Sequence, residues 1–193
     1  MQPKPWLLLL CNVQLKANFV GTEYMLWTKS DDSDVRKGYG TESICVSFQN
    51  HVGKKSGPRV VHLAMPVPES GWQPSAVDGT DNLSNCLEMA KIKQLPPYME
   101  RNLSMLSNKA AEYNDIAKGY TLDFGGRVKE ASVKNLQLVS WNHNTDRQGG
   151  DILLQFGKID STTYALDFAY PMSIETAFAV ALASLDTKLC CAV

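Results

Sequence analysis

The longest unbroken apolar run of the chain lies near its C-terminal end, where almost every residue from Ile174 to Leu185 is apolar. Within that stretch, residues 177–183 form a run of seven apolar residues. Alanine and leucine favour a helix, Ser173 is placed to cap the helix N-terminus, and Glu175 suits the positive first turn. The sequence therefore predicts a helix that is apolar on all sides.

A helix of this kind is either buried in a protein core or spans a membrane. This one is shorter than the about 20 apolar residues that a bilayer requires. We therefore expect its side chains to form the core, with a gross contribution of roughly 9–18 kcal/mol from their burial. These core side chains are Ile174, Phe178, Val180, Leu182, Leu185 and Leu189. The rest of the chain is expected to form a shell around the helix.

Alternation of apolar and polar residues, together with segments rich in aromatic and β-branched residues, predicts about seven strands before the helix. The strands are expected at residues 18–27, 44–48, 61–65, 120–124, 135–141, 152–156 and 164–170. Most of them follow one another through hairpin connections, which imply antiparallel pairing. A curved sheet that closes around the helix buries it and protects the strand edges. We therefore predict an α+β fold made mainly of antiparallel strands.

Four further segments carry weaker signals. The proline, glycine and serine residues of Pro66–Thr80 predict an exposed loop, and Asp81–Lys93 predicts a short helix that ends before Pro96 and Pro97. The segment Leu103–Lys118 is ambiguous. The pair Gly125-Gly126 indicates a bend or bulge.

Composition and charge leave the choice of partner open. A chain of 193 residues is enough for one domain, and its net charge of −1 means that binding to nucleic acid or anionic lipid would need a local basic cluster. The five cysteines contain no CxxC pair and the three histidines are scattered, so we expect a reducing compartment, no zinc site and no cofactor. The apolar run Trp6–Cys11 favours a strand or a leader over a secretory signal, because no clear cleavage site follows it.

Catalytic motifs do not emerge from the sequence. The acidic residues are spread out, and no Ser, His and Asp set accompanies a nucleophile elbow. Gly125-Gly126 is not followed by the GxxxxGK pattern of a phosphate loop. Asp186 and Lys188 are expected to hold the end of the helix. We therefore predict that the protein is not an enzyme.

Five strings of residues resemble the C-terminal domain of the Tubby-like protein family, in the order in which the family has them. The strings are NFVGTEY at 18–24, GPRVV at 57–61, FGGRVKEASVKNLQLV at 124–139, LLQFGKID at 153–160 and LDFAYPMSIETAFAVALASLDTKLCC at 166–191. Residues 16–193 thus resemble part of that domain, with an insertion in a loop around residues 66–103.

The resemblance implies a fold and a function. The family's fold is a closed antiparallel barrel of about twelve strands around a hydrophobic C-terminal helix. Its domain has no established catalytic activity and binds phosphatidylinositol bisphosphates, above all the 4,5-isomer, which tethers the protein to the plasma membrane. Family members act as membrane-tethered regulators and as adaptors in ciliary membrane-protein traffic, and a transcriptional role has also been proposed.

The start of the chain departs from the family pattern. Residues 1–15 are an unmatched leader, and the family's earlier strands, with two basic residues of the lipid pocket, have no counterpart. The family's third basic residue falls at Lys16, where lysine keeps the charge of the usual arginine but loses its bidentate geometry. We therefore expect an incomplete barrel of about 7–8 strands with an open edge. Lys16 is the one predicted phosphoinositide ligand, in a weakened pocket.

Two basic clusters remain. The first lies in a predicted hairpin turn and consists of Lys54, Lys55 and Arg59. It would add to a membrane-facing patch or contact nucleic-acid phosphates, and the alternative is a solvated turn. The second consists of Arg127, Lys129 and Lys134, for which we expect structural salt bridges.

Together these observations predict a monomeric, non-enzymatic adaptor or regulator that binds a phosphoinositide headgroup. We expect it in the cytoplasm, peripheral to the plasma membrane, or in the cilium or nucleus, with a protein cargo or effector as a further partner. Two alternatives stay open: a nucleic-acid-binding transcriptional regulator, and a truncated family member that lacks lipid binding.

Overall fold

The computed structural model describes residues 13–29, 40–49, 59–74, 80–116 and 118–186. Its largest element is an eight-stranded sheet. The strands of this sheet are β1 (Val13–Ala17), β2 (Glu23–Thr28), β3 (Thr41–Gln49), β4 (Val60–Pro66), β5 (Leu103–Asn108), β8 (Leu136–Asn142), β9 (Arg147–Lys158) and β10 (Tyr164–Phe168). Two short strands, β6 (Glu112–Asn114) and β7 (Gly119–Thr121), form a separate hairpin.

The strands of the sheet follow chain order, β1-β2-β3-β4-β5-β8-β9-β10, and every neighbouring pair is antiparallel. The antiparallel prediction is therefore confirmed. Three details of the strand prediction are wrong. The strand β1 lies at Val13–Ala17, where no strand was predicted. Residues 18–22 form a turn before β2, and the alternation at 120–124 produces only the short β7. The ambiguous segment from Leu103 supplies β5 and β6.

The C-terminal helix α3 (Ile174–Leu185) lies against one face of the sheet, called here the inner face. It contacts β2 and β3 near one end of the strand order and β10 at the other end. An eight-stranded sheet is too wide for one helix to reach both ends unless the sheet curves around it. The architecture is therefore a half-barrel around α3, which is the incomplete barrel that the sequence predicted.

Local sequence sets the start of α3. The Ser173 side chain accepts a hydrogen bond from the Thr176 backbone N–H, and the Thr176 hydroxyl oxygen accepts one from the Ser173 backbone N–H. This capping box satisfies two backbone donors that a helix N-terminus leaves without partners. The predicted cap at Ser173 is therefore confirmed.

The sheet does not enclose α3 on all sides, which corrects the prediction of a fully buried helix. Val180 is fully buried, but Phe178 is 39% exposed and Ile174 is 66% exposed. Leu182 and Leu185 are half-buried, and Leu189 lies outside the described residues. In the described part of the chain, β1 and β10 each have one neighbouring strand, so the half-barrel leaves one side of the helix uncovered.

A second core covers the opposite, outer face of the sheet. It is formed by the helix α1 (Leu83–Lys91), the short helix α2 (Pro97–Glu100) and outer side chains of β2, β3, β4, β5 and β8. Its buried members are Met25, Cys45, Ala64, Leu83, Cys86, Leu87, Ala90, Leu95, Met99, Leu103, Met105 and Trp141. The predicted helix in Asp81–Lys93 is confirmed. The predicted exposed loop before it is partly wrong, because Trp72 packs against this core and Pro74 is buried.

The segment between β7 and β8 folds back over the end of β9. Gly125 and Gly126 have φ values of +56° and +78°, which glycine adopts readily, so the predicted bend is confirmed. Beyond the bend, Val128 lies against Gly157, where an added Cβ would be only 2.3 Å from a Val128 methyl carbon. Gly157 is therefore required by the close approach of this segment.

Candidate functional site

Lys16 lies on β1, the first strand of the described sheet. Val13, Leu15 and Ala17 pack against the inner core, so the alternation of side chains directs Lys16 to the outer face. Its Cα pairs with that of Met25, and its Nζ lies 5.7 Å from the centroid of the Trp27 ring. A cation over a tryptophan face is attracted by the ring quadrupole. This attraction holds the half-buried Lys16 side chain against the outer surface of the sheet.

Lys16 remains a predicted ligand for an anionic group. On the neighbouring strand β2, the Glu23 carboxylate accepts a hydrogen bond of 2.8 Å from the Ser84 hydroxyl at the start of α1. The Lys16 ammonium is a point charge. A lysine cannot form the two parallel hydrogen bonds that an arginine donates to a phosphate. A lysine side chain can attract an anionic group through its charge alone.

Arg59 does not join Lys16. Its Nη2 donates a hydrogen bond of 2.8 Å to the Ser184 hydroxyl, and its guanidinium lies 5.1 Å from the centroid of the Phe48 ring. Both partners belong to the inner side of the half-barrel, whereas Lys16 is on the outer face. Arg59 therefore holds the last turn of α3, where a cation is favoured by the helix dipole. Lys54 and Lys55, predicted with it as a patch, lie outside the described residues.

In the second basic cluster, Arg127 and Lys134 bind other parts of the fold. Arg127 forms a two-pronged ion pair with Asp167, with N–O distances of 2.6 and 3.0 Å, and these hydrogen bonds lower the pKa of Asp167. Lys134 donates through Nζ to the Asp186 backbone carbonyl at 3.0 Å, just beyond α3. The expected salt bridge is therefore confirmed for Arg127. The Lys129 side chain is exposed.

The end of α3 is fixed by more contacts than the sequence predicted. The Tyr24 hydroxyl donates to the Asp186 carboxylate at 2.8 Å, and the Ser184 hydroxyl donates to the Lys134 carbonyl at 3.0 Å. With Arg59, these groups join β2, β4 and the segment before β8 to one helix end. The prediction that Asp186 holds the end of the helix is confirmed, and Lys188, predicted with it, lies outside the described residues. The Tyr24 partner of Asp186 is 162 residues away and could not be inferred from local spacing.

The sequence did not predict a row of polar side chains that lies between α1 and the sheet. Glu42 on β3 is 5% exposed, and its carboxylate accepts a hydrogen bond of 2.6 Å from the Leu83 backbone N–H at the start of α1. Burial, and secondarily the negative charge of Glu23, raise the pKa of Glu42, although the Leu83 hydrogen bond acts in the opposite direction. At the other end of α1, Lys91 donates through Nζ to the Ser47 hydroxyl at 2.7 Å. This row anchors α1 to the sheet by both ends.

His62 lies between this row and Trp141, whose ring centroid is 4.3 Å away. Burial, reinforced by the positive charge of Lys91, lowers the pKa of His62 from its ordinary 6.5 to about 4. The unfolded chain therefore binds a proton on His62 between these values while the folded chain does not, so stability falls as the pH drops from 6.5 to 4. We expect a loss of roughly 1–2 kcal/mol at pH 5 relative to pH 8 from this residue.

Denaturant titrations of wild-type and His62→Gln protein at several pH values measure this term. Comparison of the two proteins at each pH removes the opposite contribution of Glu42, whose raised pKa favours the folded state as the pH falls. A His62→Gln variant with the same stability difference from wild type at pH 5 and pH 8 would show that His62 does not resist protonation.

An open cleft of about 270 Å³ lies at the far edge of the second core, between α2 and the turn after β8. Its polar groups bind one another. His143 Nε2 lies 3.1 Å from a Glu100 carboxylate oxygen, the Asn144 amide donates to the same oxygen, and the Trp141 indole N–H donates to Asp146. These bonds close the turn and leave no nucleophile paired with a base in the cleft.

In the residues that the structure covers, no group of three or more histidine, cysteine or acidic side chains is placed to hold a metal ion. No helix among the described segments is long and apolar enough to cross a membrane. Cys45 and Cys86 are buried free thiols.

Comparison with known proteins places the chain in a family. The model of the Tub family matches residues 11–187. The chain is 32% identical over 178 residues to protein king tubby of Anopheles gambiae, and 32% identical over 181 residues to protein king tubby 1 of Aedes aegypti. Each alignment covers 92% of this chain but only 37% and 41% of the relative, so the chain spans about two fifths of the length of these relatives. The resemblance read from the residues is confirmed, and the chain belongs to the Tub family.

Proposed function

We propose that this chain is a non-enzymatic phosphoinositide-binding domain that holds a regulator or adaptor at the plasma membrane. The observation that carries the proposal is the position of Lys16, the basic residue that matches the family's lipid contact, on the outer face of the first described strand. Membership of the Tub family supports the assignment at the level of the whole fold. The phosphates of phosphatidylinositol 4,5-bisphosphate are the ligand groups that an ammonium at this place would attract.

The geometry supports weak binding. A lysine near an anionic membrane surface contributes about 1 kcal/mol, so Lys16 cannot anchor the protein alone. Arg59, Arg127 and Lys134 are the members of the two basic clusters with described partners. Arg59 and Lys134 are engaged with the end of α3, and Arg127 is engaged with Asp167. The same engagements weaken the alternative of nucleic-acid binding, which needs several basic groups directed at phosphates.

Lys16→Ala should weaken binding to vesicles that contain phosphatidylinositol 4,5-bisphosphate by about fivefold, because it removes one charge worth about 1 kcal/mol. Lys16→Arg should bind more tightly than wild type, because it restores the two-pronged contact. Co-sedimentation with vesicles of phosphatidylcholine, with and without the bisphosphate lipid, measures both effects. Lys29→Ala, which removes an exposed lysine just beyond β2, is the matched control.

Pelleting that does not depend on the bisphosphate lipid would contradict the proposal. So would pelleting that Lys16→Ala and Lys29→Ala reduce equally, since the effect would then be one of general charge. The cellular part of the proposal, a peripheral location at the plasma membrane or cilium with a protein cargo or effector, is tested by following a fluorescent fusion before and after enzymatic depletion of the bisphosphate lipid.

A further inference from the structure

The turn between β1 and β2 exposes two apolar side chains at the end of the sheet. Phe19 is 85% exposed and Val20 is 43% exposed. Scattered apolar residues on a surface are ordinary, but a phenylalanine with almost no protein contact forgoes most of the burial energy that its ring could provide. The position of Phe19 therefore raises the question of what covers it in use.

Hydrogen bonds fix the turn in the conformation that leaves Phe19 exposed. The Asn18 side-chain carbonyl accepts hydrogen bonds from the backbone N–H groups of Gly21 at 2.8 Å and Thr22 at 2.9 Å, and the Asn18 amide donates to the Thr22 hydroxyl at 2.8 Å. Gly21 has a φ of +78°, and the Phe48 backbone N–H donates to the Thr22 carbonyl at 2.8 Å, which ties the turn to β3. A turn fixed by these bonds presents Phe19 without an ordering cost at the moment of binding.

The charge beside the turn indicates the kind of surface that Phe19 would meet. Lys16 stands three residues before Phe19, on the outer face of β1, the strand that leads into the turn. An apolar tip next to a basic residue is complementary to the bilayer interface, where acyl chains lie below anionic headgroups. A soluble acidic ligand would complement Lys16 alone and would leave Phe19 in water.

We propose that Phe19 and Val20 insert into the membrane interface while Lys16 contacts the lipid headgroup. This inference rests on the function proposed above and adds to it a second, apolar contribution. It explains how a domain with one predicted ligand lysine gains affinity for a bilayer, because insertion and charge act together on the same surface.

The test compares Phe19→Ser with wild type on vesicles of phosphatidylcholine, phosphatidylserine and phosphatidylinositol 4,5-bisphosphate. We expect roughly tenfold weaker binding for Phe19→Ser, since burial of a phenylalanine ring is worth at least that factor. Ile174→Ser, which alters an equally apolar and 66% exposed residue at the opposite end of the half-barrel, should bind as wild type. Both variants should keep the wild-type melting temperature, because neither side chain is packed.

A second measurement separates insertion from headgroup recognition. Calorimetry with soluble inositol 1,4,5-trisphosphate should give the same affinity for Phe19→Ser as for wild type, and a lower affinity for Lys16→Ala. In Phe19→Trp, the added tryptophan emission should be quenched by lipids brominated on their acyl chains, beyond any quenching of the wild-type protein.

The outcomes are distinct for the two proposals. Vesicle binding that Phe19→Ser leaves unchanged, or a Phe19→Trp emission that brominated lipids do not quench, overturns the insertion and leaves the phosphoinositide function standing. Vesicle binding that Phe19→Ser weakens, but that does not require the bisphosphate lipid, supports insertion and overturns the lipid specificity. A wild-type protein that binds no vesicles overturns both.

Discussion

Val180→Asp should abolish folding, with an expected cost of more than about 4 kcal/mol. Val180 is fully buried at the centre of α3, between the helix and the inner face of the sheet. An aspartate there would place an unpaired charge in an apolar core, and a domain of this size has a stability of only about 5–15 kcal/mol. Soluble yield and a thermal melt by circular dichroism measure the effect.

Ile174→Asp is the matched control for that experiment, because it introduces the same side chain on the same helix at a position that is 66% exposed. It also falls in the first turn of α3, where a carboxylate is favoured by the helix dipole. We expect its melting temperature to equal or slightly exceed that of wild type. If Ile174→Asp unfolded the protein as Val180→Asp does, the uncovered side of the half-barrel would have to be closed in solution.

Leu87→Ala should destabilise the protein by roughly 2–5 kcal/mol, the range for a leucine deleted from a packed core. Leu87 is fully buried on the face of α1 that packs on the outer side of the sheet. The experiment asks whether the segment between β4 and β5 is an integral layer of the fold. Chemical denaturation followed by tryptophan fluorescence reports on this layer directly, because Trp141 belongs to it.

Ile92→Ala serves as the control for Leu87→Ala, since Ile92 directly follows α1 and is exposed. Its effect should stay within about 0.5 kcal/mol. Equal small effects of the two substitutions would mean that α1 is a dispensable surface addition. A cooperative transition at lower denaturant for Leu87→Ala alone would establish the second core as part of the domain.

The sequence predicted the strands and helices of the fold better than it predicted how far the sheet closes around α3. The period of two in β3, β4, β9 and β10 and the cap at Ser173 depend on neighbours within a few residues, so local chemistry was enough to find them. The exposure of Ile174 and Phe178 depends on how many strands surround α3, which the composition of the helix does not encode. An all-apolar helix indicates that a shell is needed, and it does not indicate how far that shell extends.

The candidate site shows the same division. The outward direction of Lys16 follows from the apolar residues that flank it on β1, which the sequence displays. The contact of Glu42 with the start of α1 spans 41 residues, and the bond of Arg59 to Ser184 spans 125, so neither could be inferred from spacing along the chain. Arg59 was accordingly grouped with Lys54 and Lys55 by proximity in sequence, whereas the fold sends its guanidinium to the inner side.

β1 is the outermost strand of the described sheet, so Lys16 also affects whether molecules of the protein associate in solution. Backbone groups along such a strand can recruit the strand of another molecule, and a lysine on it opposes that recruitment through charge repulsion. Removal of the lysine should therefore make concentrated samples more prone to form oligomers, quite apart from lipid. Lys16→Arg keeps the positive charge and should not form oligomers. Light scattering on the alanine and arginine variants therefore distinguishes oligomer formation from weaker ligand binding.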